Sequence, residues 1–495
     1  MDVLQSLLLL PLFSFIFFII FLHKWRSTHQ KNLPPSPKKL PIIGNLHQLG
    51  QYPHRSLHSL SKHYGPLMLL HFGRVPILVV SSADAAREIM KNQDLIFSNR
   101  PKLSIPDRLI YGSKDVAFSQ CGNYWREVRS ICVLQLLSNK KVQSYRHVRE
   151  QETSIMIEKI RQMGSSLLVV NLSDMFVSVS NDIVCRVALG RKYGEDGKFK
   201  KFLGEFVELL GEYSVGDHIP CLGWIDWVSG LNGKVKKVAK LFDEFLEGVI
   251  EEHREQRKRD VDLDFVDILL DFQRENEGSF LADDDAIKAI ILDMFGAGID
   301  TTSSVLEWTM AELIKNPKTL KVLQDEVREV ARGKVEVTED DLDKMHYLKA
   351  VIKESLRLHT PVPTLVPRQS THDTKVLGYD FAAGTQVMIN AWAIARDPSL
   401  WENPDEFHPE RFLDTNIDFR GFNFELIPFG AGRRGCPGIA FAMANNELVL
   451  ANLVHKFNFG LPNGEREEDL DMSEVKGMTV HKKLPLLVVA TQHAY

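Results

Sequence analysis

One cysteine stands among neighbours that would make it reactive. Phe429-Gly430-Ala431-Gly432-Arg433-Arg434-Gly435-Cys436-Pro437-Gly438 has the form F-x-x-G-x-R-x-C-x-G. With average residue usage, five such fixed positions arise by chance on the order of once in ten thousand chains of this length. The residues from Ile439 to about Lys456 have helical character, so Cys436 falls at a helix N-terminus. There the helix dipole and unpaired N–H groups favour thiolate over thiol. A thiolate is a strong iron ligand, and on haem iron it pushes electron density in the sense that favours O–O cleavage. Arg434 offers a fixed cation for a haem propionate. Gly432 and Gly438 would let the backbone approach a flat macrocycle, and Phe429 would pack beside the sulfur. The competing reading is a buried structural cysteine in a glycine-rich turn.

A second constellation interrupts an apolar stripe. From about Asp285 to Lys315 the apolar positions Ile287, Ile290, Ile291, Met294, Phe295, Val305, Leu306 and Leu313 follow a helical period, which stops at Asn316-Pro317. Within it lies Gly296-Ala297-Gly298-Ile299-Asp300-Thr301-Thr302. Glycine costs about 1 kcal/mol in a helix interior, so two this close need a reason. Either they leave space for a ligand or they let another helix approach. Thr301 can bond back to the Ala297 carbonyl and bend the helix. An acid beside an alcohol, Asp300 and Thr301, can pass protons from water.

Other patterns carry less. Gly430 to Gly435 matches G-x-G-x-x-G, but position 455 is His where a dinucleotide fold would need an acid, and no strand–helix–strand unit surrounds it. His54 and His58, four apart, read as surface histidines rather than metal ligands. Asn171-Leu172-Ser173 is a glycosylation sequon, on a body expected in the cytosol.

The elements that must position these groups read as mainly helical with a smaller β part. Leu67–Phe72 and Pro76–Ser81 form a hairpin about Gly73-Arg74-Val75, and Ala83–Asn92 a helix. A second strand pair is expected between Lys375–Tyr379 and Gln386–Asn390. Of 495 residues, 44% are apolar and 25% charged, which excludes a mainly disordered chain and a many-span membrane protein. The net charge of −5 gives no sign of nucleic-acid binding. Five scattered cysteines (Cys121, Cys132, Cys185, Cys221 and Cys436) argue against a disulfide framework.

The N-terminus departs from this average. Val3 to Leu22 carries no charge and as a helix would span roughly 30 Å, one bilayer core. Asp2 and the absence of a small-x-small site favour a retained anchor over a cleaved signal peptide. Lys24, Arg26, Lys31, Lys38 and Lys39 follow, which places the rest of the chain in the cytosol. Pro34, Pro35, Pro37 and Pro41 make a stiff linker, either a simple spacer or a device that sets the angle of the body. The expected division is 1–22 anchor, 23–44 linker and 45–495 one catalytic domain.

The cysteine loop resembles the haem signature of the cytochrome P-450 monooxygenases, and the resemblance runs over essentially the whole chain. Glu354-Ser355-Leu356-Arg357 matches the family's E-x-x-R, and Pro409-Glu410-Arg411-Phe412 supplies the arginine buried with it. Trp125-Arg126-Glu127-Val128-Arg129 matches W-x-x-x-R. The long-helix segment matches A/G-G-x-D/E-T-T/S, and the whole is most similar to plant A-type family 71. The resemblance implies a mainly α (α+β) cytochrome P-450 fold with a long helix over haem b. It implies Cys436 as axial iron ligand, and Trp125, Arg129, Arg368 and Arg434 toward the propionates. Phe429 and Gly438 would border the cofactor, and Asp300 and Thr301 would assist protonation.

By family position the substrate pocket draws on Ile105, Phe118, Phe295, Ala297, Val362, Leu365, Val366 and Met478. They are mostly apolar, as a small lipophilic substrate requires. A plant specialised metabolite is implied: a terpenoid first, with a coumarin, phenolic or alkaloid as alternatives. Electrons would come from NADPH through a separate NADPH–cytochrome P-450 reductase, with cytochrome b5 as a second candidate donor. Arg126, Lys140, Lys141 and Arg433 are candidates to dock it. The implied location is the endoplasmic reticulum membrane, single-pass, facing the cytosol. Two other functions fit the motifs less well: an O2-independent haem-thiolate isomerase or dehydratase, and a membrane-tethered haem-binding protein without turnover.

Overall fold

The computed structural model describes residues 32–165, 168–193, 198–256, 263–276 and 283–493. The expected anchor, 3–22, lies outside them. The described part of the proline-rich segment is tied to the body. Leu69 N–H donates to the Pro35 carbonyl at 3.0 Å, and Asn32 N–H to Asp380 at 2.9 Å. Residues 32 and 35 are thus held against the body.

Strands β1 (Leu67–Phe72) and β2 (Val75–Val80) form the expected hairpin. Later come β3 (Arg368–Gln369), β4 (Thr374–Val376), β5 (Tyr379–Phe381) and β6 (Gln386–Ile389). The main sheet has the order β1-β2-β6-β3. Strand β6 runs parallel to β2 with Ile77 opposite Gln386, and antiparallel to β3 with Arg368 opposite Val387. The strand pairing expected between 375–379 and 386–390 is therefore wrong. Leu377 and Gly378 both adopt positive φ, 49° and 87°, and this tight turn folds β4 onto β5 instead. Strand β6 is left free to join the main sheet.

Helices carry the rest. Helix α1 (Leu172–Leu189) and α2 (Lys198–Leu210) pack on the long α3 (Asp284–Lys315), which also meets α4 (His346–Leu358) and α5 (Ile439–Lys456). Helix α3 begins with Asp283 accepting the Asp285 amide at 3.0 Å and ends at Pro317, whose ring cannot continue the ladder. Among the described residues it is the one helix long and apolar enough to cross a membrane, and it is instead mostly buried as the core helix. His54, expected at the surface, is 3% exposed; its ring lies edge-on to Trp392, with Glu474 3.3 Å away.

Candidate active site

Helix α3, the 429–438 loop, α5 and β3 enclose a cavity of about 290 Å³. Cys436 Sγ opens into it and accepts the Gly438 amide at 3.3 Å, just before α5. Burial pushes its thiol above the ordinary range, and the Gly438 amide and Arg129 only partly pull it back. A metal bound there would favour the thiolate.

Around this floor stand four arginines. Arg434 donates to the carbonyls of Ser98 (2.7 Å), Val116 (3.2 Å) and Ser119 (2.6 Å). Arg100, which no motif singled out, donates to Ala117, Val366 and Pro367 at 2.6–2.8 Å. Arg129 donates to the Gly435 carbonyl at 2.7 Å, and Arg368 to that of Ala431 at 2.6 Å. All four line the cavity. Among the described residues, Asp94 is the one carboxylate paired with any of them, 3.2 Å from Arg368. Burial pushes each guanidinium below its usual range, Arg434 to about 10, and repulsion among the group adds to this for Arg100, Arg368 and Arg434. So much uncompensated positive charge calls for a ligand with acidic groups. The two propionates of a haem, above a sulfur donor, satisfy that demand.

Trp125 behaves differently from expectation. It is absent from the cavity wall, its N–H donates to the Val116 carbonyl at 3.1 Å, and its ring lies 3.9 Å under the Arg434 guanidinium. It stacks under an arginine of the floor. Gly432 is also absent from the wall. A Cβ there would lie 2.2 Å from the Met90 carbonyl, so a packed loop, not a macrocycle, requires that glycine. Phe429 and Gly438 do border the cavity.

On the opposite wall Thr301 Oγ donates to the Ala297 carbonyl at 2.6 Å. Ala297 and Thr301 face the cavity. Asp300 is absent from that wall; its Oδ1 meets His481 Nε2 at 3.0 Å. Both helix glycines line the cavity and also lie close to packed side chains: a Cβ at Gly296 would be 3.0 Å from the Phe206 ring, and one at Gly298 3.3 Å from Val184. Of the expected pocket residues, Phe118, Ala297, Val362, Leu365, Val366 and Met478 line the cavity. Phe295 and Ile105 do not. Phe295 falls on the other face of α3, its ring 5.3 Å from Phe199, and Ile105 is buried in a short helix, Ser104–Leu109.

Below the floor Glu354, fully buried, accepts two bonds from Arg357, at 2.7 and 2.8 Å, and one from Arg411 at 3.1 Å. Arg357 also donates to the carbonyls of Ala395, Pro404 and Glu406. These bonds fasten α4 to the chain that leads into the cysteine loop.

Residues 34–489 match the family described as cytochrome P-450. The chain belongs to the cytochrome P-450 family. It is 60% identical to cytochrome P-450 71A6 of Nepeta racemosa, over 98% of this chain and 99% of that one. It is 56% identical to (+)-menthofuran synthase of Mentha piperita, over 97% of each. A zebrafish cytochrome P-450 solved with abiraterone shares the fold, with a TM-score of 0.77 at 24% identity, covering 90% of this chain and all of that one. This cytochrome P-450 is therefore a haem-thiolate monooxygenase that uses O2, a lipophilic substrate and electrons from NADPH supplied through a redox partner. That reading stands over both alternatives drawn from the motifs.

Proposed function

We propose that Cys436 is the iron ligand, that Arg100, Arg129, Arg368 and Arg434 hold the propionates, and that one O2-derived oxygen atom is inserted into a plant specialised metabolite. The observation that carries this is the cysteine sulfur opening into a cavity whose floor is ringed by those four arginines. Haem bound there supplies O2 activation and oxygen insertion. The chain's own residues divide the remaining work. Phe429 and the apolar wall exclude water. Thr301, fixed to Ala297, holds a hydroxyl against the cavity and moves a proton at Oγ. Asp300 holds the next proton at its carboxylate, in exchange with the part-exposed His481.

A terpenoid is the favoured substrate. The wall is mostly apolar, and a relative at 56% identity is named for menthofuran, a terpenoid. Residues 1–22 anchor the chain in the endoplasmic reticulum membrane with the body in the cytosol, and 45–495 form one catalytic domain; the uncharged run and the basic residues after it support this. NADPH–cytochrome P-450 reductase docks near the cysteine loop, where Arg126 and Arg433 are exposed.

The test is expression in microsomes with that reductase and a terpenoid panel. Products heavier by one oxygen, dependent on NADPH and O2, are expected. Turnover by Cys436→Ala with an unchanged reduced carbon monoxide band would overturn the assignment.

A further inference from the structure

Apart from the arginine floor, the cavity wall carries one charged side chain among the described residues, Asp293 of α3. It lies eight residues before Thr301, about 12 Å along the helix axis. Its Oδ2 accepts the Val116 amide at 2.7 Å. Beside it lies Asp115, fully buried, whose Oδ2 accepts the amides of Ala117 (3.1 Å) and Phe118 (2.9 Å). The two carboxyls hydrogen-bond each other, and no lysine, arginine or histidine among the described residues is paired with either. Two adjacent carboxylates away from water cannot both ionise. Burial drives both upward, and Asp293 further still through the closeness of Asp115.

A proton shared by the pair would suffice to fasten the 115–118 loop to the helix. That does not explain why Asp293 is left partly open to an apolar chamber. A hydrocarbon pressed against it would strip a polar group of water and give nothing in return. A cation would need Asp293 ionised, which the adjacent carboxyl of Asp115 opposes.

We propose that Asp293 is a specificity-determining residue that hydrogen-bonds a hydroxyl or carbonyl on the end of the substrate remote from the site of attack. The enzyme would then take a lipophile that already carries one oxygen, so an earlier oxygenation or hydration must supply it. This rests on the chamber being the haem and substrate site.

The test uses the full-length holoenzyme and calorimetric binding of p-menthane, menthol, menthone and menthylamine, together with farnesene and farnesol. Wild type should bind an oxygenated member about tenfold or more tightly than its parent hydrocarbon. Asp293→Leu should lose that preference, while Asp293→Asn, which still hydrogen-bonds, should keep most of it. Equal binding across both series, tightest binding of the amine, or a preference surviving in Asp293→Leu would overturn the proposal. Should Asp293→Leu not fold, Asp293→Ala takes its place, and equal binding by wild type overturns the proposal without either variant. A wild-type protein lacking the thiolate-type reduced carbon monoxide band would sink the haem reading and this proposal together. An intact band with no oxygen preference sinks this proposal alone.

Discussion

The floor and the wall of the chamber are built on opposite principles. The floor is crowded with guanidinium groups, each held by backbone carbonyls, so its geometry is set by hydrogen bonds that leave little freedom. The wall is set by packing: glycines admit Phe206 and Val184, and apolar side chains such as Val362, Leu365 and Val366 face the space. A polar floor suits a cofactor common to a whole family. A packed wall can be altered by single side chains, which suits a substrate particular to one member.

The largest effect should come from the floor. Cys436→Ala should abolish both the thiolate-type reduced carbon monoxide spectrum and product formation, measured together in microsomes. Some retained activity would show that the floor is less decisive than the contrast requires. Next is Arg357→Ala, which leaves the buried Glu354 with Arg411 as its one remaining arginine. Breaking such a pair costs about 3–5 kcal/mol, seen as a lowered thermal midpoint and poor haem retention. Thr301→Ala, on the wall, should leave folding intact and lower product formation per NADPH by about 100-fold. An effect of similar size on stability would erase the distinction between the regions.

The smallest effect concerns His481. Burial alone would lower its imidazole pKa, but the bond to Asp300 and the charges of Asp300 and Glu307 outweigh that and raise it. The stabilisation is therefore fully present below the ordinary histidine value of about 6.5 and is lost as pH rises through the folded value. Thermal midpoints of wild type and His481→Gln should converge as pH rises through that window.

The floor was more legible in the sequence than the wall, for physical reasons. A metal-binding sulfur needs fixed neighbours at fixed spacing, so the loop around Cys436 announces itself. Helix α3 was legible through its long apolar period. Arg100 belongs to no spacing pattern, and only the fold brings it beside Arg434. Phe295 was misplaced because a one-residue step on a helix turns a side chain by about 100°. Asp293 did leave a signal, an acid between Leu292 and Met294 in an otherwise apolar run. The strand pairing near 377 failed because Leu377 adopts a left-handed conformation that few leucines do.

One residue joins the two regions. Val116 gives its amide to Asp293, while its carbonyl receives both Trp125 and Arg434. Cofactor retention and substrate choice are thus geared together through a single link of main chain. Anyone transplanting the 115–119 segment from a relative to change the product should expect to disturb the grip on the prosthetic group as well.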